Sequence, residues 1–307
     1  MRSLITLLPI LAIALATVAP AQEGTYKPKR INKAIELLEQ GQPVYYTGSH
    51  DGTNATFEQG KLDAQTWADY INYDMEVGPW DVAGLREYMK GLVAGGPTRS
   101  GHRTPTVIVV LPVRGIDEAT MRANAWMIEQ VLATGVHGIL LAHATTGGAI
   151  RAMVEAVRYP NREEGPEGVR GAHGASTAAK IWGVSTQEYM RRADVYPLNP
   201  EGEILLGVKI EDKRGLANLH EIVESAGLGF GEGGPGDMGL SLGYPRGDPR
   251  LQEIEEKIFA AAKPHKLFWI GIRGNQVEES ITSGRMIGSG EATAAEGRKF
   301  TKRSMPY

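Results

Sequence analysis

Short runs of aliphatic and β-branched residues, each stopped by Gly, Pro or a charge and followed by a stretch with helical spacing, recur along the chain from residue 44 onward. Parallel strands covered on both faces read as continuous apolar runs, whereas the helices that cover them show a single apolar stripe. The runs that qualify as strands are Val44–Thr47, Tyr70–Glu76, Val107–Pro112, Gly138–His143, a short piece near Gly168–Gly171, Leu205–Glu211, Leu228–Gly231 and Leu267–Ile272. Between them, residues 117–132 place Met121, Ala125, Ile128 and Leu132 three and four apart, and residues 147–157 are rich in Ala and Met. Eight such units predict an α/β fold, a closed (β/α)8 TIM barrel; an open doubly wound sheet is the other arrangement this rhythm allows. Either way, the chemistry belongs at the C-terminal ends of the strands.

The first residues follow a different pattern. Arg2 precedes an apolar run from Leu4 to Val18, and Ala19-Pro20-Ala21 precedes Gln22, the order of a cleavable secretory signal. That run is shorter than the ~20 residues a membrane-spanning helix needs, and no later stretch qualifies. The expectation is a signal peptide over 1–21 and one barrel domain over 22–307, periplasmic or secreted, without membrane attachment after cleavage. The chain has no Cys, which removes disulfides, a lipid-anchored cysteine and a thiol nucleophile together. A formal net charge of -3 with acids and bases interspersed leaves no basic stripe, so nucleic acid is not an expected partner. The 39 glycines suit many sharp strand-to-helix turns.

Polar residues at the ends of otherwise apolar strands are the candidates for function: Asp74 and Glu76, Arg114, His143, Arg170, Lys209 with Glu211, and Asp237. Glu211 closes the sixth strand and Asp237 follows the seventh, so in a barrel the two carboxylates stand on neighbouring strand ends and suit one hard divalent cation. Asp237 lies in a Gly-Pro-Gly-Asp turn, where Gly234 and Gly236 can offer backbone N–H groups to a carboxylate or phosphate. A plain helix N-cap is the other reading of Asp237.

In order along the chain, "DMEVGP" (74–79), "LPVRG" (111–115), "AVRYP" (156–160), "GVRG" (168–171), "VKIED" (208–212) and "GGPGDMGLSLG" (233–243) resemble the metal-dependent 2-oxo acid aldolases of the HpcH/HpaI family, within the phosphoenolpyruvate/pyruvate barrel superfamily. The resemblance runs from about residue 31 to near the C-terminus. It implies a divalent metal (Mg2+, Mn2+ or Co2+) on Glu211 and Asp237, and an arginine at Arg114 that contacts the keto and enolate oxygen. The implied substrate is a small 2-oxo acid such as pyruvate, chelated through its carboxylate and carbonyl oxygens, with the backbone at Gly234 and Gly236 holding the carboxylate. Lys209, which departs from the family, is a further substrate-binding candidate as a cation beside the site. It also implies a homo-oligomer, a trimer or hexamer.

The departures are as informative. The family's histidine base falls on Val77, and the acid that partners it falls on Ala133 by ungapped spacing. Valine transfers no proton, so the general-base contribution of about 10²- to 10⁴-fold must come from elsewhere or be lost. Lys209 replaces a family glutamine. His143 is the first choice as replacement base, with His50 and His173 on loops as alternatives. His102 belongs to the opposite face of the barrel, and His137 and His220 read as ordinary helix or turn positions. Asp74 and Glu76 are expected to support the metal or Arg114 from behind, and Trp80, Trp182, Tyr189, Arg158 and Tyr159 to be architectural.

The function expected is a divalent-metal-dependent carbon–carbon lyase acting on a 2-oxo acid through a stabilised enolate. The other readings are an exported small-carboxylate-binding protein without turnover, and a decarboxylase or hydrolase with metal-bound water as base. The mature protein should begin at or near Gln22; N-terminal sequencing that finds intact Met1 on a soluble cytoplasmic product would sink the export assignment.

Overall fold

The computed structural model describes residues 26–48 and 56–307, so residues 1–21 of the expected signal and His50 lie outside the described residues. Among the described residues there are nine parallel strands: β1 Val44–Thr47, β2 Tyr70–Asp74, β3 Thr106–Leu111, β4 Gly138–Leu141, β5 Val195–Tyr196, β6 Ile204–Ile210, β7 Phe230–Gly233, β8 Phe268–Ile272 and β9 Ile287–Ser289. They run in the order β4-β3-β2-β1-β9-β8-β7-β6-β5, and β4 also pairs with β6. That extra pairing closes eight strands into a (β/α)8 barrel.

The number of barrel strands matches expectation, but one member differs. Residues 168–171 form no strand. The missing position is filled by β9, which pairs Ile287 with Val44 on one side and with Ile270 on the other. β9 is only three residues long, "IGS", too short to stand out as an apolar run. β5 stays outside the ring, pairing Val195 with Ile204 at the foot of β6 on the edge that β7 uses higher up.

Period-two alternation sorts each strand between two apolar regions. On β3, Val107, Val109 and Leu111 face the surrounding helices, while Ile108 and Val110 face the barrel interior. The interior is filled at its lower end by the helix Lys33–Glu39, whose Ala34, Ile35, Leu37 and Leu38 pack with Tyr70, Leu140 and Phe230. Phe230 needs Gly207 opposite, because a Cβ there would sit 2.2 Å from its ring. Outside the ring, helices Phe57–Asp63 and Val82–Gly95 cross at their glycines: a Cβ on Gly60 or on Gly91 would lie 2.1 Å from a carbonyl oxygen of the other helix. Among the described residues no helix is long and apolar enough to cross a membrane.

The lower end of the barrel is tied by one buried carboxylate. Asp69 faces Lys33 at 3.2 Å, Arg298 at 3.3 Å and Arg303 at 2.6 Å, and accepts the Tyr45 backbone N–H at 3.0 Å. Burial alone would push this carboxyl up, but the Lys33 and Arg303 charges hold it well below the usual range. Burial brings Lys33 down to about 8 despite Asp69 beside it. Removing one partner of a buried ion group strands the others, at about 3–5 kcal/mol. Asp69→Asn is therefore expected to lower stability by that order in urea unfolding; an unchanged midpoint would show that the cluster is not a tie.

Candidate active site

At the upper end of the barrel the strand ends converge on a cleft of about 420 Å³ lined by Asp74, Glu76, Val77, Arg114, His143, Lys209, Glu211, Glu232, Gly233, Gly234, Pro235 and Asp237. Each element delivers its residue for a local reason. After β2, Asp74 Oδ1 accepts the N–H groups of Glu76 (2.8 Å) and Val77 (3.1 Å), a side-chain turn that folds the chain over the strand end. Glu76 is thereby directed into the cleft, while Val77 stands 68% exposed at its rim.

After β4, His143 has a left-handed backbone (φ 50), unusual for a residue with a side chain. Its N–H donates to Glu211 Oε1 at 2.9 Å, its Nε2 lies 3.2 Å from Glu76 Oε1, and its Nδ1 lies 3.6 Å from Glu211 Oε1. Among the described residues, Glu76, His143 and Glu211 form the group of potential metal ligands whose donor atoms all lie within 4.8 Å of one another.

β6 and β7 supply the wall. Lys209 and Glu232 are register partners, so their side chains share the inner face; Lys209 Nζ lies 3.4 Å from Glu76 Oε2 and 3.9 Å from Glu232 Oε1. Burial would lower the Lys209 pKa, but the carboxylates of Glu232, Glu211 and Glu76 more than offset it and raise the pKa. Burial pushes Glu232 up to about 7, opposed by Lys209 and helped by Glu211 and Glu76. Burial likewise raises Glu211, against the pull of the His143 N–H. Beneath lie Tyr46 and Tyr70, stacked at 5.1 Å.

The residues expected at the site mostly meet there. Arg114 is exposed in the cleft, and Asp237, on the first turn of helix Pro235–Leu242, is exposed on the same wall outside the tight Glu76–His143–Glu211 group. Gly234 packs against Glu211: a Cβ would lie 2.3 Å from Glu211 Oε2. Gly236 borders an adjoining groove with Pro235, Arg246 and Arg273.

Others lie elsewhere. Arg170, read from the sequence as a strand-end group, is buried between Tyr159 and Tyr189, its guanidinium 4.7 and 5.5 Å from their ring centres. His173 is exposed and outside the cleft lining. Ala133 caps the helix Ala125–Leu132 that returns to the start of β4, so within one chain it stands at the far end of the barrel from Val77. An acid at 133 would therefore not reach residue 77 of the same chain.

His102 sits at the lower end between Ser100 and Glu36, lowered to about 4 chiefly by burial, and His137 is stacked on Trp182 at 5.8 Å. Arg158 is buried on Asp194 at 2.8 Å. Glu232 is the site residue the sequence reading missed, because the seventh strand was ended at Gly231. The signal was present: Phe230 and Glu232 are two apart, so an inward Phe230 puts Glu232 inward as well.

Residues 104–288 match the profile of the HpcH/HpaI aldolase/citrate lyase family, more than half of the chain. The chain belongs to this family. A 2-keto-3-deoxy-L-rhamnonate aldolase of Escherichia coli O17:K52:H18 (strain UMN026 / ExPEC) is 34% identical over 161 residues, which are 50% of this chain and 52% of that protein. A hydroxypyruvate/pyruvate aldolase of Pseudomonas aeruginosa is 30% identical over 198 residues, 64% of this chain and 62% of the relative. The match thus spans between half and two thirds of these relatives. A crystal structure of a family protein from Burkholderia cenocepacia J2315 superposes with a TM-score of 0.66 at 18% identity, over 88% of this chain and 97% of that one, and supports the barrel.

The contact between Gly234 and Glu211 gives a direct check of the wall. Gly234→Ala should displace the Glu211 carboxylate and lower stability by about 1–3 kcal/mol, as overpacking does. Thermal unfolding measures it, and an unaltered transition would mean that the wall yields freely.

Proposed function

We propose that this protein is a divalent-metal-dependent carbon–carbon lyase of the aldolase type, acting on a 2-oxo acid through its enolate. The observation that carries the reading is the convergence of Arg114, His143, Lys209, Glu211 and Asp237 on one cleft at the C-terminal ends of the strands. The donor set fits a divalent ion: five carboxylates (Asp74, Glu76, Glu211, Glu232 and Asp237) face two fixed cations, Lys209 and Arg114, leaving anionic oxygen for a hard cation. Glu211 and Asp237 are the residues proposed to hold it, with Asp74 and Glu76 behind them. When bound, such an ion supplies Lewis acidity toward the keto oxygen of the substrate.

The remaining steps belong to the chain. Arg114, open to the cleft, offers forked N–H donors to the oxygen on which negative charge grows as the bond breaks. Lys209 holds the substrate carboxylate, together with the Gly236 N–H on the first turn of helix Pro235–Leu242, where the cleft meets the adjoining groove. The Gly234 N–H is donated to the Ile210 carbonyl at 3.4 Å and only shapes the wall. In the cleavage direction the substrate hydroxyl loses a proton, the adjacent C–C bond breaks to give an aldehyde and the enolate, and the enolate takes a proton at carbon. The Glu76–His143 pair, joined at 3.2 Å, handles the proton in place of the imidazole that residue 77 lacks.

The exposed Val77 favours one further reading, a binding protein for small carboxylates that has lost turnover. Export is proposed on the order of residues 2–22, and assembly into a trimer or hexamer on the family resemblance alone.

Retro-aldol cleavage of 4-hydroxy-2-oxo acids with Mg2+, Mn2+ or Co2+ tests the proposal, beside exchange of the pyruvate methyl protons with deuterium. Both are expected to stop on chelation and to fall about 10²- to 10³-fold in Arg114→Ala, as when one oxyanion donor is removed. His143→Ala should cost ten-fold or more. Glu211→Gln and Asp237→Asn should each abolish metal binding in calorimetry. Tight pyruvate binding with neither cleavage nor exchange would replace the lyase by the binding protein.

A further inference from the structure

We infer that His143 Nδ1 joins Glu211 and Asp237 as a nitrogen ligand of the divalent ion, with Glu76 fixing the imidazole from behind. The inference rests on the metal dependence proposed above and adds a nitrogen donor to its carboxylate pair. The carboxylate pair Glu211 and Asp237 gives oxygen ligands alone, yet the structure gathers a different group: Glu76, His143 and Glu211 have donor atoms within 4.8 Å of one another.

The two ring nitrogens of His143 are in unlike positions. Nε2 lies 3.2 Å from Glu76 Oε1. This is the placement of a carboxylate that accepts the imidazole N–H, fixes the tautomer and raises the basicity of the other nitrogen. Nδ1, the nitrogen so released, lies 3.6 Å from Glu211 Oε1. Two donors bonded to one ion at about 2.0–2.2 Å stand a little over 3 Å apart, so closing the gap needs only a small side-chain shift.

The surroundings hold that pair in place. The left-handed backbone at His143 lets the same residue donate its N–H to Glu211 Oε1 at 2.9 Å while its ring faces the same carboxylate. Gly234 leaves the other oxygen room, since any Cβ would intrude to 2.3 Å. Lys209, at 3.4 Å, anchors the second oxygen of Glu76, which keeps that carboxylate behind the ring instead of on the ion. The Glu76 end of the pair then carries the proton work. A nitrogen donor favours Mn2+, and more so Co2+ and later ions, over Mg2+, which prefers oxygen.

Pulsed electron paramagnetic resonance of Mn2+ bound to the full chain, after chelator treatment, reads the ligand directly. The parent should show nitrogen hyperfine coupling that changes isotope when histidine is supplied as ¹⁵N, an assignment that needs no mutation. His143→Ala and His143→Gln should lose the coupling. They should bind Mn2+ and Co2+ about ten-fold or more weakly in calorimetry, with Mg2+ affected far less. Mn2+ bound to the parent without nitrogen coupling would overturn the inference and leave the metal-dependent reading standing, as would coupling that survives in both variants. Failure of the parent to bind Mn2+, Co2+ or Mg2+ at all would overturn that reading and this one together.

Discussion

Pairing between β4 and β6 is the contact on which the rest of the molecule depends. It seats Leu141 beside Val208 and continues one step beyond the strand, where the Ala144 N–H donates to the Lys209 carbonyl at 2.9 Å. Those few hydrogen bonds turn an open parallel sheet into a ring and also set His143 against Glu211. β5, the strand that comes between them in sequence, is pushed to the foot of β6, so neighbours in the ring are not neighbours in the chain. The long excursion from residue 142 to residue 203 is what this closure must span.

A ring of parallel strands brings its C-terminal ends together whatever their chemistry, and here it brings together many carboxylates. Concentrating like charges in a half-buried cleft costs energy unless cations answer them. Lys209 answers three, which is why its proton is held so firmly, while burial and the neighbouring Glu211 and Glu76 drive Glu232 toward neutrality against the pull of Lys209. The opposite end of the barrel solves the reverse problem, one carboxylate answering Lys33, Arg298 and Arg303. The anions gather at the end that carries the cleft, and a cluster with surplus cations ties the ring at the other.

How far the sequence could be read follows the same division. Strands of four or more apolar residues were legible because burial on both faces removes polar residues from them. The three-residue β9 was not, because a strand that short carries no period, and its place went to residues 168–171, where an arginine between glycines imitated a strand end. Arg114, His143, Lys209, Glu211 and Asp237 were legible from their places after apolar runs. Glu232 was hidden by a strand boundary set one residue early. The pairing of His143 with Glu76 and Glu211 was hidden more deeply, since it depends on a left-handed backbone at a non-glycine residue, which no local pattern announces.

The Asp69 cluster also has a bearing on the order in which the chain can be finished. Its members come from residues 33, 69, 298 and 303. A ribosome delivers the first two early and the last two among its final products. Until then a lysine and an aspartate must wait at the foot of an incomplete ring with two of the three cations absent. Completion of the barrel is thus reserved for a nearly full-length chain.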